Sequence, residues 1–167
     1  SRLSIAEALT NIVFAPLTHG LSGVSLSANW MWPCRNEGED ARLYSAVEAV
    51  SQFAIELGVN VPTGKDSLSM TQKYKDGTKV IAPGTVIISA AGQVSDVKKT
   101  VSPYLRRGEG LDIVYVDFSG SERNLGGSAF FQMLGKIGSK APDVADAQYF
   151  KKSFAAVQSL IESGRVV

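Results

Sequence analysis

Apolar residues near the start of the chain recur at helical spacing. Ile5, Leu9 and Val13 fall on one face of a helix. Ser4 and Glu7 have the spacing of a capping box, in which each side chain bonds the other residue's backbone N–H. The pattern predicts a helix that begins at Ser4 and ends near position 14.

A strand and a longer helix follow. Apolar and small polar residues alternate over residues 24–30, which is typical of a strand with one buried face. After Asp40, apolar residues at helical spacing continue as far as Leu57, and Gly58 then supplies a stop signal. The first third of the chain therefore predicts the order helix, strand, helix.

A hairpin and a buried strand come next. Residues 67–73 and 78–82 are strand-like and flank the turn sequence 75–77, Lys-Asp-Gly, in which Asp-Gly favours a hairpin. The apolar run 85–90 is typical of a buried strand. We therefore expect an antiparallel hairpin followed by another strand.

The second part of the chain begins after a Gly- and Arg-rich linker at 104–110. The run 111–116 predicts a strand, the pair Gly126-Gly127 a turn into a helix at 128–134, and the spacing of Phe150, Phe154, Val157 and Ile161 a last helix. Strands alternate with helices but include a hairpin. The predicted class is therefore α/β in the mixed α+β sense, with a mixed sheet.

Composition and charge narrow the function. The 167 residues are 44% hydrophobic and 20% charged with a net charge of +1, which predicts a soluble protein with no general attraction to nucleic acid or to an anionic membrane. A single cysteine and a single histidine rule out an internal disulfide and a Cys/His zinc cluster. The single cysteine is consistent with a reducing compartment, so we expect a cytosolic protein.

Both ends of the chain resemble interrupted secondary-structure elements. We therefore expect an internal fragment that associates with itself or with the missing neighbouring domains.

Glu7 and Asn11 are the first candidates for chemistry. They lie four residues apart, so a helix places both side chains on one face, where a carboxylate and an amide oxygen can reach one Mg²⁺ ion. The alternative is that Glu7 only caps the helix and Asn11 is a solvated surface residue.

A second candidate is the segment Gly64-Lys65-Asp66-Ser67, which combines a flexible glycine, a cation and a hydroxyl at a strand start. These groups suit a nucleotide phosphate, although the segment is not a P-loop. A simple turn into a strand explains the same residues.

Other motifs favour structural roles. Gly126-Gly127 before a helix could present N–H groups to an anion, but close packing explains these glycines better. Cys34 and His19 do not form a recognisable nucleophile and base pair, so we assign neither to catalysis and leave the catalytic residues unknown.

Seven strings, in one order, resemble the phosphoribosylformylglycinamidine synthase family of the long, single-chain type. The strings run from near the first residue to position 129, so the resemblance extends along nearly the whole chain. They are EALTNI at 7–12, LSANWMW at 26–32, GEDA at 38–41, GKDSLSM at 64–70, APGTVIISA at 82–90, VSP at 101–103 and LGGSA at 125–129.

The resemblance implies an architecture. Family members contain two aminoimidazole ribonucleotide synthetase-like units, each with an N-terminal mixed-sheet domain and a C-terminal α/β domain, followed by a glutaminase domain. By this resemblance, residues 1–108 are the later part of an N-terminal domain in the second unit. Residues 109–167 are then the start of its C-terminal domain.

The resemblance also implies a function, that of a carbon–nitrogen ligase in purine biosynthesis. The family uses ATP, and ammonia from glutamine, to convert formylglycinamide ribonucleotide to the amidine. Glu7 and Asn11 match family Mg²⁺ ligands at an ATP or ADP site, and Gly64 to Ser67 would lie nearby. We expect this chain to be inactive alone. The alternatives are a nucleotide-binding scaffold without chemistry and, more distantly, a kinase or a non-enzymatic relative.

Overall fold

The computed structural model describes residues 1–108 and 110–167. Helices and strands alternate along most of the chain, as the mixed α/β class requires. The helices are α1 (Arg2–Thr10), α2 (Glu39–Leu57), α3 (Ala129–Met133) and α4 (Ala147–Glu162), and the strands are β1 (Val24–Met31), β2 (Asn60–Ser67), β3 (Thr71–Lys73), β4 (Lys79–Ile81) and β5 (Thr85–Gly92).

The main sheet has three strands in the order β2-β1-β5. Central strand β1 runs parallel to β2, with Ala28 opposite Gly64, and antiparallel to β5, with Ala28 opposite Ile88. The mixed sheet confirms the predicted class. Strand β2 was not predicted, because its residues are mostly exposed and do not alternate in polarity.

One face of this sheet is covered by helices. Along β1 the alternate residues Val24, Leu26 and Ala28 are buried, while Ser25 between them is exposed. Val24 and Leu26 belong to a single hydrophobic cluster that draws side chains from α1, α2 and α4, including Ile5, Leu9, Phe53, Leu57, Phe150 and Phe154. Burial of apolar area on this scale is the main stabilising contribution to such a fold.

Helix α2 follows the prediction closely. It begins one residue before Asp40, and Glu39 and Asp40 lie in its first turn, where carboxylates interact favourably with the helix dipole. It ends at Gly58, whose φ of 74° places it in the left-handed region that glycine adopts most easily. The buried face of the helix contains Phe53 and Leu57.

Helix α4 packs into the same cluster as the sheet. The ring of Phe150 lies 6.1 Å from that of Phe53 and 5.4 Å from that of Phe118, centroid to centroid. The two predicted ranges, 1–108 and 109–167, therefore share one core, and residue 109 itself lies outside the described part of the chain. The division into two domains stays a prediction.

The predicted hairpin is confirmed, with strands shorter than expected. Strands β3 and β4 pair antiparallel, and at their turn the Asp76 carboxylate accepts a hydrogen bond from the Thr78 N–H at 2.9 Å. Gly77 has a φ of 89°, which explains why the turn needs glycine there. Asn36 links the preceding loop to the hairpin by donating to the Thr71 hydroxyl at 3.1 Å.

Two predictions about local structure were wrong. Residues 111–116 form no strand, and Ile113 is 86% exposed, because no described strand pairs with this apolar run. Helix α1 begins at Arg2, with Ser1 as its N-cap and no side-chain capping bond, so the capping box of Ser4 and Glu7 does not form, and the helix ends at Thr10 and not near position 14. Within residues 1–108 and 110–167, no helix has the length and apolar character needed to cross a membrane.

Candidate functional site

Glu7 and Asn11 lie one turn apart at the end of α1. Asn11 is the C-cap residue, keeps helical φ and ψ of −71° and −16°, and donates its backbone N–H to the Glu7 carbonyl at 2.9 Å. Both residues are exposed, so both side chains project from the same side of the helix into solvent. This geometry is the one that the four-residue spacing predicts.

The absence of the predicted capping box favours a Mg²⁺-binding role for Glu7 over a helix-capping role. The Ser1 cap leaves Ser4 inside the helix, so the Glu7 carboxylate is not held by a reciprocal cap. Within the described residues, its side chain makes no hydrogen bond or ion pair. The carboxylate therefore remains available to a cation.

The donor set of α1 fits Mg²⁺ in part. No group of three or more His, Cys, Asp or Glu side chains is close enough to hold a metal ion among residues 1–108 and 110–167. Glu7 and Asn11 supply two oxygen donors, and Mg²⁺ commonly takes one or two protein ligands and completes its shell with phosphates and water. These residues therefore fit a shared Mg²⁺-phosphate site rather than a closed protein cage.

Glu7 also faces a cavity of about 410 Å³. The floor of the cavity is apolar, with Phe118 and Phe150 among its lining residues, and Thr10, Asp117 and Arg123 add polar groups. Pockets for small organic ligands commonly combine apolar walls with a few polar groups. The cavity joins α1 to the segment that precedes α3, which the sequence had not associated with Glu7.

Asp117 is the most strongly held carboxylate at this cavity. Its Oδ1 accepts hydrogen bonds from the hydroxyl and the backbone N–H of Ser119, at 2.6 Å and 2.8 Å. These two bonds, and next the Arg123 guanidinium 3.6 Å from Oδ2, lower the pKa of Asp117 below its ordinary value. Arg123 also lies over the Tyr115 ring, 5.5 Å from its centroid.

The sequence did not identify Tyr115, Asp117, Ser119 and Arg123 as neighbours of Glu7. The only local signal is Asp117 two residues before Ser119, a spacing at which an aspartate side chain accepts from backbone N–H groups in a turn. The contact with α1 is non-local, and a single sequence carries no information about it.

Gly64, Lys65, Asp66 and Ser67 form the end of β2, at one edge of the sheet, and not the strand start that the sequence predicts. A Cβ atom at Gly64 would lie 2.1 Å from the Ala28 carbonyl oxygen, so the close approach of two strands requires this glycine. The glycine thus has a structural explanation. Its role in phosphate binding stays a prediction.

The structure does not bring this segment together with Glu7 and Asn11 in one cluster. Helix α1 packs against β5 and α2, whereas β2 lies on the other side of β1. Lys65 pairs with Asn29, which alternates with the helix-facing residues of β1. The two candidate groups therefore lie in different parts of the fold, one on α1 and the other on the edge strand β2.

Gly126 and Gly127 also have structural explanations. A Cβ atom at Gly126 would lie 2.3 Å from the Lys140 carbonyl oxygen, and Gly127 has a φ of 75°. Close packing, the preferred explanation, is supported, although the neighbour is a loop and not the sheet. His19 is exposed at a 3-10 turn, and Cys34 is half-buried.

Comparison with known proteins places this arrangement in a family. Residues 1–93 match the FGAR-AT PurM N-like domain. The chain is 45% identical, over 168 aligned positions, to a protein of Arabidopsis thaliana named probable phosphoribosylformylglycinamidine synthase, chloroplastic/mitochondrial. The alignment covers 99% of this chain and 12% of that relative. The match over nearly the whole chain confirms the resemblance of the seven strings, and the chain belongs to the phosphoribosylformylglycinamidine synthase family.

Proposed function

We propose that this chain is part of a ligase that uses ATP and glutamine to convert formylglycinamide ribonucleotide to the amidine in purine biosynthesis. The observation that carries the proposal is the 45% identity over 99% of the chain to a protein with that synthase name. The chain spans only 12% of that relative, so the remaining domains of the parent would be its partners and would supply the glutaminase. The chain alone forms no amidine.

Within that enzyme, Glu7 and Asn11 would hold Mg²⁺ with an ATP or ADP molecule. The bound ion would supply positive charge against the nucleotide phosphates. The role of this chain would be to orient oxygen donors. A carboxylate and an amide one turn apart on a packed helix lose little conformational freedom when they bind the ion. Support comes from the exposure of both side chains and from the lack of a capping role for Glu7.

Two roles for the nucleotide remain to be separated. In a working site, the nucleotide is turned over; in a scaffold, it only stabilises the fold. The two exposed oxygen donors of Glu7 and Asn11 are compatible with both roles.

We also propose that the protein acts in the cytoplasm. The name of the plant relative gives chloroplast or mitochondrion for that protein.

The test measures Mg²⁺-dependent ADP binding by calorimetry for the wild type, Glu7→Gln and Asn11→Ala, with Glu48→Gln as control. Glu48 is an exposed carboxylate on α2, so Glu48→Gln changes the net charge of the chain by the same amount as Glu7→Gln. We expect at least tenfold weaker binding for both site variants and no change for the control. Equal binding in all four proteins would refute the Mg²⁺ assignment.

The same variants in the intact parent distinguish the two roles. A catalytic site predicts loss of amidine formation per folded molecule in Glu7→Gln. A scaffold predicts normal turnover per folded molecule, less co-purifying nucleotide and a lower melting temperature, because a bound ligand stabilises only the folded state.

A further inference from the structure

A second cavity, of about 210 Å³, lies at the far end of α4. Among the described residues, three basic side chains line it, those of Lys98, Lys99 and Arg106, and no acidic side chain does; Val167, the last residue of the sequence, lines it as well. Its volume is below the roughly 300–1,000 Å³ of pockets for drug-sized molecules, so it suits a small ion. We propose that this cavity binds an oxyanion of the phosphate class, either inorganic phosphate or the phosphate of a monoester.

The local structure holds the two lysines at the cavity wall. A 3-10 turn at Val97–Lys99 is capped by the Asp96 carboxylate, which accepts from the Lys98 N–H at 2.9 Å. The next segment is tied to the loop after α1, because the Val101 N–H donates to the Phe14 carbonyl at 3.0 Å. The backbone that carries both lysines is therefore fixed from two sides.

Lys99 has a structural role as well. Its ammonium donates to the Glu162 carbonyl at 3.0 Å, where a cation offsets the negative end of the α4 dipole. This bond uses one of three ammonium donors and leaves the charge in place. Lys98 and Arg106 form no ion pair with the described residues.

Phosphate fits the remaining groups better than a neutral ligand. Arg106 offers a planar fork of N–H donors and Lys98 a point charge, and both bind phosphate oxygens through charge-assisted hydrogen bonds. Thr100 also lines the cavity and adds a hydroxyl. The cavity lies apart from the one beside Glu7, since the two have no lining residue in common.

The test is titration of the chain with inorganic phosphate, followed by calorimetry and by amide chemical shifts. The double variant Lys98→Gln/Arg106→Gln removes two exposed cations and spares Lys99, which caps α4. The matched control is Lys75→Gln/Lys152→Gln, which removes two exposed cations elsewhere. We expect at least tenfold weaker binding in the site variant, less than twofold change in the control, and shifts at Lys98, Thr100 and Gly164.

Three results would overturn the proposal: no saturable phosphate binding to the wild type, equal weakening of binding in both double variants, or chemical-shift changes confined to other residues. Shift mapping uses the wild type, so it decides the matter even if the variant fails to fold. A repeat with ribose 5-phosphate separates the sources, because a monoester site binds it more tightly than inorganic phosphate. Glu7→Gln leaves phosphate binding unchanged, so the two proposals fail independently.

Discussion

Gln158 on α4 accepts a hydrogen bond from the backbone N–H of Leu17 at 2.7 Å. The same side chain donates to the carbonyls of Val13 and Ala15, at 2.7 Å and 2.9 Å. Gln158 is 6% exposed, so one buried amide satisfies three backbone groups of the chain that follows α1. The bonds span more than 140 positions of sequence and connect α4 to the segment that follows the helix carrying Glu7.

Replacing Gln158 by Leu should destabilise the fold strongly. Leucine has a similar volume but forms no hydrogen bonds. The Leu17 N–H and the two carbonyls therefore lose their partner, and each buried group left unpaired costs about 1–3 kcal/mol. We expect a loss of at least about 2 kcal/mol in the free energy of unfolding, measured by urea denaturation. Gln148→Leu is the control, since Gln148 is exposed on the same helix and should change stability by less than about 0.5 kcal/mol. Equal stability of the two variants would contradict this account.

Gly64 should tolerate no larger residue. A Cβ at this position would meet the Ala28 carbonyl oxygen at 2.1 Å, so Gly64→Ala must push β2 away from β1. We expect a loss of about 1–3 kcal/mol, as for other overpacked sites, and faster amide exchange along both strands. The neighbouring exposed Thr63→Ala serves as control. Unchanged exchange in Gly64→Ala would mean that the strands are less closely held than described.

Elements with a clear hydrophobic period were predicted well. Helix α2 differs from its predicted start by one residue, and β5 contains the whole predicted run 85–90. The prediction that this run is buried was wrong, because β5 is an edge strand and none of its residues is fully buried. Their sequences carry the information because one face of α2 is buried and β5 pairs with the central strand. The prediction needed no knowledge of distant residues.

The errors come from residues whose environment is not local. Strand β2 contains Pro62, Gly64 and two charged residues, so its pairing with β1 overrides a weak local preference. The run 111–116 has a strong local preference, but no described strand pairs with it. In the candidate site, the spacing of Glu7 and Asn11 predicted their shared face, while the approach of Asp117 and Arg123 depends on a tertiary contact.

Asn36 should control the mobility of the hairpin formed by β3 and β4. Its side chain donates to the Thr71 hydroxyl and accepts from the Lys79 ammonium, so one amide contacts both strands. Asn36→Ala should lower the free energy of local opening by on the order of 1 kcal/mol, since each net hydrogen bond contributes about that much. Hydrogen exchange at the hairpin would then be roughly fivefold faster.

The global stability of Asn36→Ala should change little, because the hairpin lies outside the main hydrophobic cluster. Asn124→Ala provides the comparison, since Asn124 is half-buried like Asn36 and its side chain bonds no described residue. Hairpin exchange at the wild-type rate in Asn36→Ala would show that strand pairing alone holds β3 and β4 in place.

Asp117 should make the region beside Glu7 sensitive to acid. Hydrogen bonds from Ser119 are the largest cause of its lowered pKa, and the Arg123 charge adds to them. Because the folded state holds the carboxylate more strongly than the unfolded chain, the stabilisation is complete above the ordinary aspartate pKa of about 3.9. It is lost as the pH falls through the lower pKa of the folded state.

Ser119→Ala removes the hydroxyl bond and should raise the pKa of Asp117 toward its ordinary value. The backbone N–H of Ser119 remains, so the shift should be reduced and not abolished. The measurement is an NMR titration of the Asp117 carboxyl carbon between about pH 2 and pH 6, with Ser139→Ala as the control at an exposed serine. An unchanged midpoint in Ser119→Ala would contradict the role of the hydroxyl and leave the Ser119 backbone N–H and the Arg123 charge as the causes, which Arg123→Gln would then separate.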